Sequence, residues 1–186
     1  MYSPGGMPDA LPRIDRSIVL VGLMGAGKST VGKRLAKRLG MAFVDSDDEI
    51  ERAADRSIAE IFDEFGEASF RDGERRVIAR LITGKPKVIA TGGGAFLNSE
   101  TRALILGRCI AIWLDADVEI LAERVARRDS RPLLRDQEPL PVLRGLAGAR
   151  NPIYAEAHLH IRSQPAPHER AVERILEALG TWQARA

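Results

Sequence analysis

The segment GLMGAGKS, from Gly22 to Ser29, limits the possible folds of this 186-residue chain more strongly than any other part of it. It fits the pattern G-x-x-x-x-G-K-[ST] of a phosphate-binding loop, or P-loop. Glycines leave backbone N–H groups free to wrap phosphate oxygens, and the dipole of a helix that begins at Lys28 would attract the same anion. An apolar run precedes the segment and a helical pattern follows it, as this interpretation requires.

The motif also predicts which residues contact a nucleotide. We expect Lys28 to reach the β- and γ-phosphates and the Ser29 hydroxyl to ligate Mg²⁺. The rest of the predicted phosphate cradle consists of Gly25, Ala26, Gly27 and Thr30. The alternative is a glycine-rich turn between a strand and a helix with no ligand. A dinucleotide-binding fingerprint does not fit, because Thr30 occupies the place of its last glycine.

Short apolar runs alternate with helical patterns along most of the chain. The runs of strand length lie at 17–21, 42–44, 87–90, 109–114 and 158–161. Uninterrupted apolar strands separated by helices are typical of a parallel sheet that is covered on both faces. The sequence therefore predicts an α/β fold with a single domain.

Local signals predict where several helices begin and end. Gly40 is expected to end the first helix, and Gly180 the last. Ser57 is a plausible N-cap, with Glu60 three residues on to complete a capping box.

Composition and charge argue against several classes of protein. With 28 basic and 26 acidic residues, the net charge of +2 resembles neither a nucleic-acid-binding tail nor a polybasic membrane anchor. No apolar run has the length of a membrane span, and residues 1–15 lack the apolar region of a secretory signal. We expect residues 1–15 to be disordered, with one domain over 16–182. The single cysteine, Cys109, is expected to be a buried structural thiol, which suits the cytoplasm.

One stretch interrupts the alternation of strands and helices. Residues 127–141, RRDSRPLLRDQEPLP, are charged, punctuated by prolines and poor in core residues. A long irregular segment in a compact domain is usually functional or mobile, so this stretch is a candidate lid.

Polar residues follow the second and third predicted strands. Asp45 and Asp47 come at the end of the second, where ligands sit in open α/β sheets. Their alternative explanation is an acidic helix N-terminus. Gly92, Gly93 and Gly94 follow the third strand and would allow a ligand to approach the backbone closely.

A further pair, Arg71 and Glu74, is spaced by one helical turn. Such a pair is commonly a solvated surface ion pair, and the spacing alone does not distinguish this interpretation from a binding role.

The ordered set of motifs resembles the shikimate kinase family over nearly the whole chain. The matching pieces are GLMGAGKST, DSD at 45–47, FR-x-x-E at 70–74, GGGA at 92–95, RPLL at 131–134 and R-x-P-x-Y at 150–154. The resemblance implies a P-loop, three-layer α/β/α sandwich whose five-stranded parallel sheet has the order 2-3-1-4-5, with a mobile lid. It also implies transfer of the ATP γ-phosphate to the 3-hydroxyl of shikimate, with Mg²⁺, on the route to chorismate and the aromatic amino acids.

The resemblance assigns a role to each matching position. Asp47 looks like the residue that holds and polarises the accepting hydroxyl, and Asp45 like the carboxylate on the metal side. Arg71 and Arg150 look like the clamp for the substrate carboxylate, with Gly93 and Gly94 completing that pocket. Arg131 looks like the lid arginine that meets the transferring phosphate, and Arg124 like the residue that stacks on adenine.

Two alternatives to this function remain. A related small-molecule kinase, such as a gluconate kinase, would share the P-loop, although FR-x-x-E, GGGA and R-x-P-x-Y together are not expected there. A nucleotide-gated binding protein without an acceptor would leave the two arginines and the aspartate pair without a purpose. We expect a monomer that binds shikimate and ATP but neither nucleic acid nor membrane.

Overall fold

The computed structural model describes residues 11–127 and 137–185, and within them one parallel sheet carries the fold. Its five strands lie in the order β2-β3-β1-β4-β5. They are β1 (Ile18–Val21), β2 (Ala42–Asp45), β3 (Lys87–Ala90), β4 (Ile110–Asp115) and β5 (Leu159–Arg162). The predicted fold class and strand order are therefore confirmed, and the observed strands differ from the predicted runs by one residue at most at either end.

Helices connect the strands and cover the sheet. They are α1 (Lys28–Leu39), α2 (Ser46–Ala54), α3 (Ile58–Leu81), α4 (Ser99–Arg108), α5 (Val118–Ala126), α6 (Pro139–Tyr154) and α7 (His168–Gln183), with a short 3-10 helix at Ala95–Leu97. The α1 helix packs against β2, β3 and α7, and α5 packs against α6. None of the helices in the described part of the chain combines the length and apolarity that a membrane crossing requires.

The central strands form the core because their side chains are apolar on both faces. All four residues of β1 are fully buried, as are the first three of β4. The Cys109 thiol lies beside β4 and is buried as predicted, and its burial raises the pKa of the thiol to about 11. A thiol with such a pKa stays protonated at neutral pH and is a poor nucleophile.

The helix-end predictions have mixed outcomes. Gly40 ends α1 in the left-handed conformation, with φ of 65°. Ser57 and Glu60 form the predicted capping box at the start of α3. The prediction that Gly180 ends the last helix is wrong, since α7 continues to Gln183. Trp182 explains the extension. The centroid of its ring lies 5.8 Å from that of the His158 ring, and this contact stabilises one more helical turn.

The backbone brings the predicted functional segments to one edge of the sheet. The P-loop follows β1, Asp45 ends β2, and Gly92 follows β3. These strands are neighbours and parallel, so their carboxyl ends meet.

The predicted lid, 127–141, lies mostly outside the described residues. Its last three residues belong to the first turn of α6, which begins at Pro139, so the irregular stretch is shorter than predicted at that end. Proline is favoured at the first position of a helix, since its missing N–H would have no partner there. Residues 1–10 of the predicted N-terminal extension also lie outside the described residues.

Candidate active site

The P-loop between β1 and α1 takes a shape that only glycine tolerates well. Gly25 and Gly27 have φ values of 80° and 87°, in the left-handed region. The N–H of Ala26 donates to the Leu23 carbonyl oxygen at 3.2 Å, which closes the turn. The Gly27 carbonyl then accepts the first helical hydrogen bond, from Val31 at 2.8 Å.

Lys28 lies over this loop with little exposure, at 9%. Its ammonium group donates to the backbone oxygens of Gly22 at 2.7 Å and Leu23 at 2.8 Å. These bonds hold the positive charge at the mouth of the P-loop, where a phosphate chain would lie. The placement agrees with the role expected of Lys28.

Asp45 joins the P-loop to the second strand. Its Oδ2 accepts a hydrogen bond from the Ser29 hydroxyl, and its Oδ1 accepts one from the backbone N–H of Asp47 at 2.9 Å. The second bond makes Asp45 the N-cap of α2. The two explanations of the aspartates are therefore compatible, because one carboxylate caps the helix and also contacts the predicted metal-binding hydroxyl.

The donor set at Ser29 and Asp45 fits Mg²⁺. Both groups offer oxygen atoms, which this ion prefers. No group of three or more His, Cys, Asp and Glu side chains suited to a metal occurs within residues 11–127 and 137–185. An Mg²⁺ ion at this point would therefore depend on phosphate oxygens for much of its coordination, as in many phosphotransferases.

Arg71 and Glu74 lie in the C-terminal half of α3 and do not form a solvated surface pair. The Arg71 Nη1 donates to Glu74 Oε2 at 2.8 Å, and the Glu74 side chain is only 4% exposed. The other oxygen, Oε1, is buried without a hydrogen-bond partner. Burial raises the pKa of Glu74, although the nearby Arg71 and Arg150 oppose that rise. A half-buried arginine held by a buried carboxylate is typical of a binding site.

Each of the three consecutive glycines faces a functional side chain. A Cβ atom on Gly92 would lie 2.9 Å from Asp47 Oδ1 and 3.2 Å from Glu74 Oε1. A Cβ on Gly93 would lie 3.2 Å from Arg150 Nη1. On Gly94 it would overlap the Arg71 guanidinium, 2.5 Å from Cζ. The glycines therefore let two cations and two carboxylates converge on one short loop.

Gly94 offers a direct test of this packing. Its φ of −94° suits alanine, so Gly94→Ala should fold but displace the Arg71 guanidinium. We expect a roughly 10- to 100-fold rise in the KM for the acceptor, the scale associated with about 1 Å of misplacement. Steady-state kinetics with each substrate varied would measure it.

Gly73→Ala is the matched control. Gly73 lies inside α3 with open space around its Cα, and alanine there should add about 0.5–1 kcal/mol of stability without changing the KM. An unchanged KM in Gly94→Ala would show that Arg71 does not need its present position.

Arg150 and Tyr154 approach the glycine loop from α6. Arg150 is 9% exposed and Tyr154 is fully buried. The Tyr154 hydroxyl donates to the Gly93 backbone oxygen, and burial raises the pKa of that hydroxyl. Tyr154 therefore fixes the loop against which Arg150 lies, a function that the R-x-P-x-Y motif did not reveal.

A cavity of about 430 Å³ lies beside the P-loop. It is lined by the P-loop, by Asp45 and Asp47 and by Gly92 and Gly93. Arg124, predicted to contact the nucleotide, also lines it and donates to the Gly25 backbone oxygen at 3.1 Å. Most predicted site residues line this cavity. Ala26 lies in the same loop without lining the cavity, Arg150 lies against the lining residue Gly93, and Arg71 lies against the next residue, Gly94. Arg131 lies outside the described residues.

Four lining residues were not predicted to belong to the site, namely Thr91, Val125, Arg127 and His168, and the last two can carry a charge. Arg127 appeared only as the first residue of the candidate lid, and His168 had no assignment at all. Neither belongs to a recognisable motif. Arg127 reaches the cavity because α5 ends beside the P-loop, and His168 because α7 begins there. Only the tertiary fold brings these two helix ends to the P-loop.

Several known proteins similar to this chain are shikimate kinases. The family model for shikimate kinase matches residues 24–180. The shikimate kinase of Caulobacter vibrioides is 60% identical over 171 residues, covering 92% of this chain and 86% of that protein. The shikimate kinase of Novosphingobium aromaticivorans is 55% identical over 174 residues, covering 91% of this chain and 90% of that protein.

Two solved structures are similar to this chain over most of its length. The shikimate kinase from Acinetobacter baumannii in complex with shikimate has a TM-score of 0.86 and 40% identity, covering 89% of this chain and 93% of that one. A gluconokinase from Sinorhizobium meliloti has a TM-score of 0.61, covering 91% of this chain and 94% of that one. Its identity is only 18%, so that likeness shows the fold alone.

Proposed function

This chain belongs to the shikimate kinase family, and we propose that its cavity transfers the γ-phosphoryl group of ATP to the 3-hydroxyl of shikimate. The observation that carries the proposal is the convergence of Arg71 and Arg150 on Gly93 and Gly94, beside Asp47. The P-loop lines one cavity together with Asp47, Gly92 and Gly93. An anionic acceptor and a phosphate donor would therefore meet at Asp47.

The two arginines suit the carboxylate of shikimate. A guanidinium group presents paired N–H donors that match a planar carboxylate. Glu74 holds Arg71 in place through one oxygen, and its second oxygen has no partner. We propose that this second oxygen accepts a hydrogen bond from a hydroxyl group of the acceptor.

Asp47 is proposed to orient the accepting hydroxyl. Its carboxylate lies against Gly92 and lines the same cavity as the P-loop. A carboxylate at this point would accept a hydrogen bond from the hydroxyl and direct its oxygen toward the γ-phosphorus.

Cationic groups are proposed to stabilise the charge of the transferring phosphoryl group. Lys28 would act from the P-loop side, and bound Mg²⁺, held by Ser29 and Asp45, would neutralise phosphate charge. The sequence motif RPLL supports a similar role for Arg131. Arg124 is proposed to stack on adenine, which its place on the cavity wall supports.

Asp45→Asn tests the assignment of the metal site. Asparagine keeps the N-cap of α2 but removes the charge opposite Ser29, so the fold should survive. We expect the Mg²⁺ concentration for half-maximal rate to rise about 10-fold. Initial rates across a magnesium series would measure it, and an unchanged magnesium dependence would contradict the role.

A coupled assay of ADP release tests the proposed reaction. ATP would be supplied with shikimate, with gluconate, or with no acceptor. The proposal predicts rapid ADP release with shikimate alone. Release with gluconate would favour the related sugar-acid kinase, whereas binding of ATP without release under any condition would favour a nucleotide-gated binding protein.

Two broader properties are part of the same proposal. We infer a cytoplasmic location, which the presence of a single cysteine supports, because one cysteine cannot form a disulfide within the chain. A monomer is proposed because the site is built from one chain.

A further inference from the structure

His168 packs directly on the P-loop from the start of α7. A Cβ atom placed on Gly27 would lie 3.2 Å from Cε1 and 3.5 Å from Nδ1 of the His168 ring. The same ring lines the cavity that contains Lys28 and Ser29. Neither the predicted phosphate cradle nor the proposed acceptor site includes this side chain.

Neighbouring contacts fix the position of His168 in the fold. The α7 helix packs along α1, the helix that the P-loop opens. Glu169, the next residue, forms an ion pair with Arg34 of α1. The packing of α7 on α1 and the Glu169–Arg34 ion pair therefore hold the backbone of His168 beside the helix that follows the P-loop.

The charges around His168 are mixed before a nucleotide binds. Positive charge in the cavity comes from Lys28 of α1, from Arg124 of α5 and from Arg127, the residue that follows α5. Asp45 and Asp47, at the start of α2, supply negative charge.

The charged groups on its own helix lie mostly to one side. Glu169 is paired with Arg34, while Arg170, Glu173 and Arg174 line a separate depression that His168 also borders. Because His168 is the first residue of α7, the positive end of that helix dipole lies beside its ring. A phosphate chain in the P-loop would therefore be the largest change in charge that this imidazole meets.

From this arrangement we propose that His168 is a nucleotide-binding residue whose imidazolium form binds the phosphates of ADP and ATP more tightly than its neutral form. The inference rests on the proposed nucleotide site. Histidine is the side chain that changes charge near neutral pH, so nucleotide affinity becomes linked to proton uptake at this ring. By reciprocity, a bound nucleotide must raise the titration midpoint of the same ring.

The expected size of the linkage is modest. The ring borders solvent, so its charge interacts with the phosphates through partly screened contacts. We expect the protonated form to bind ADP about three- to tenfold more tightly, which corresponds to a rise of about 0.5–1 unit in the titration midpoint.

The chain provides a sharp test because it contains only three histidines. Proton NMR would follow the ring signals across pH, with and without saturating ADP. His158 accepts a hydrogen bond from the Ala111 N–H, and His160 stacks on Trp113 at 4.1 Å, so both are internal references outside the cavity. The signal that His168→Gln removes identifies the ring of interest.

We expect ADP to raise the midpoint of His168 and leave the other two unchanged. A midpoint that ADP leaves in place would overturn the inference even where ADP binds. If ADP changed no signal and did not bind, the proposed nucleotide site would itself be wrong, so the two failures are distinguishable.

Calorimetry of ADP binding at about pH 6 and about pH 8 gives a second test. Titration of ADP itself contributes equally to every variant, so the comparison isolates the ring. His168→Gln should lose the extra affinity at the lower pH, and His160→Gln should behave as the unchanged protein. A loss of equal size at both values would show contact without proton linkage and would contradict the proposal.

Discussion

Arg71→Ala is expected to raise the KM for shikimate by roughly 30- to 1000-fold while the KM for ATP changes little. The change removes one side of the proposed carboxylate clamp. It also leaves Glu74 buried beside the site without the cation that now donates to it at 2.8 Å. Truncating one member of a buried charged pair costs about 2–4 kcal/mol, which gives this range of affinity.

Arg75→Ala is the matched control for this experiment. Arg75 lies one helical turn farther along α3 and pairs with Asp72 and Glu100 on the exposed side of the helix. Exposed ion pairs of this kind contribute little to stability, so the loss of Arg75 should leave both KM values unchanged. If Arg71→Ala kept the shikimate KM and kcat of the unchanged protein, Arg71 would not bind the acceptor and the Arg71–Glu74 pair would be purely structural.

Asp47→Asn is expected to lower kcat by about 10²- to 10⁴-fold, the contribution typical of one acid–base group. Asparagine has nearly the same size but lacks the charge that is proposed to orient the accepting hydroxyl. Nucleotide binding should persist, because the P-loop and Lys28 are untouched. Stopped-time assays for kcat and calorimetry for ADP would separate the two effects.

Asp48→Asn controls for the loss of one acidic charge at the start of α2. Asp48 is exposed, and it lies in the same helical turn as Asp47. Its kcat should be normal. If Asp47→Asn instead altered the magnesium dependence and Asp45→Asn lowered kcat, the proposed roles of the two aspartates would have to be exchanged.

The elements that sequence predicted well are those with strong local signals. The β1 and β4 strands are continuous apolar runs, and Ser57 with Glu60 is a complete capping box. The strand order came from the family resemblance, because apolar runs do not reveal which strands are neighbours.

The α6 helix shows where local signals failed. It contains Gly145, Gly148 and Pro152, all poor helix formers, and its sequence did not predict a helix. Burial of Leu143 and Tyr154 in the core supplies the stabilisation that the local sequence lacks. Tertiary packing of this kind is invisible to a pattern based on residue propensity.

The site was predictable where a motif encodes it. The P-loop residues lie as expected, and the resemblance supplied the remaining positions. The burial of Glu74 could not be foreseen, since an Arg–Glu pair at this spacing is usually exposed. His168 was missed because only the packing of α7 on α1 brings it to Gly27.

Phosphorus NMR of the product formed from ATP and shikimate tests the central claim most directly. If Arg71 and Arg150 hold the carboxylate while Asp47 faces the γ-phosphate, a single phosphate ester should form. Its phosphorus signal should couple to the proton on carbon 3 of the ring. A phosphate ester at another hydroxyl, or inorganic phosphate as the only new signal, would contradict this account of the site.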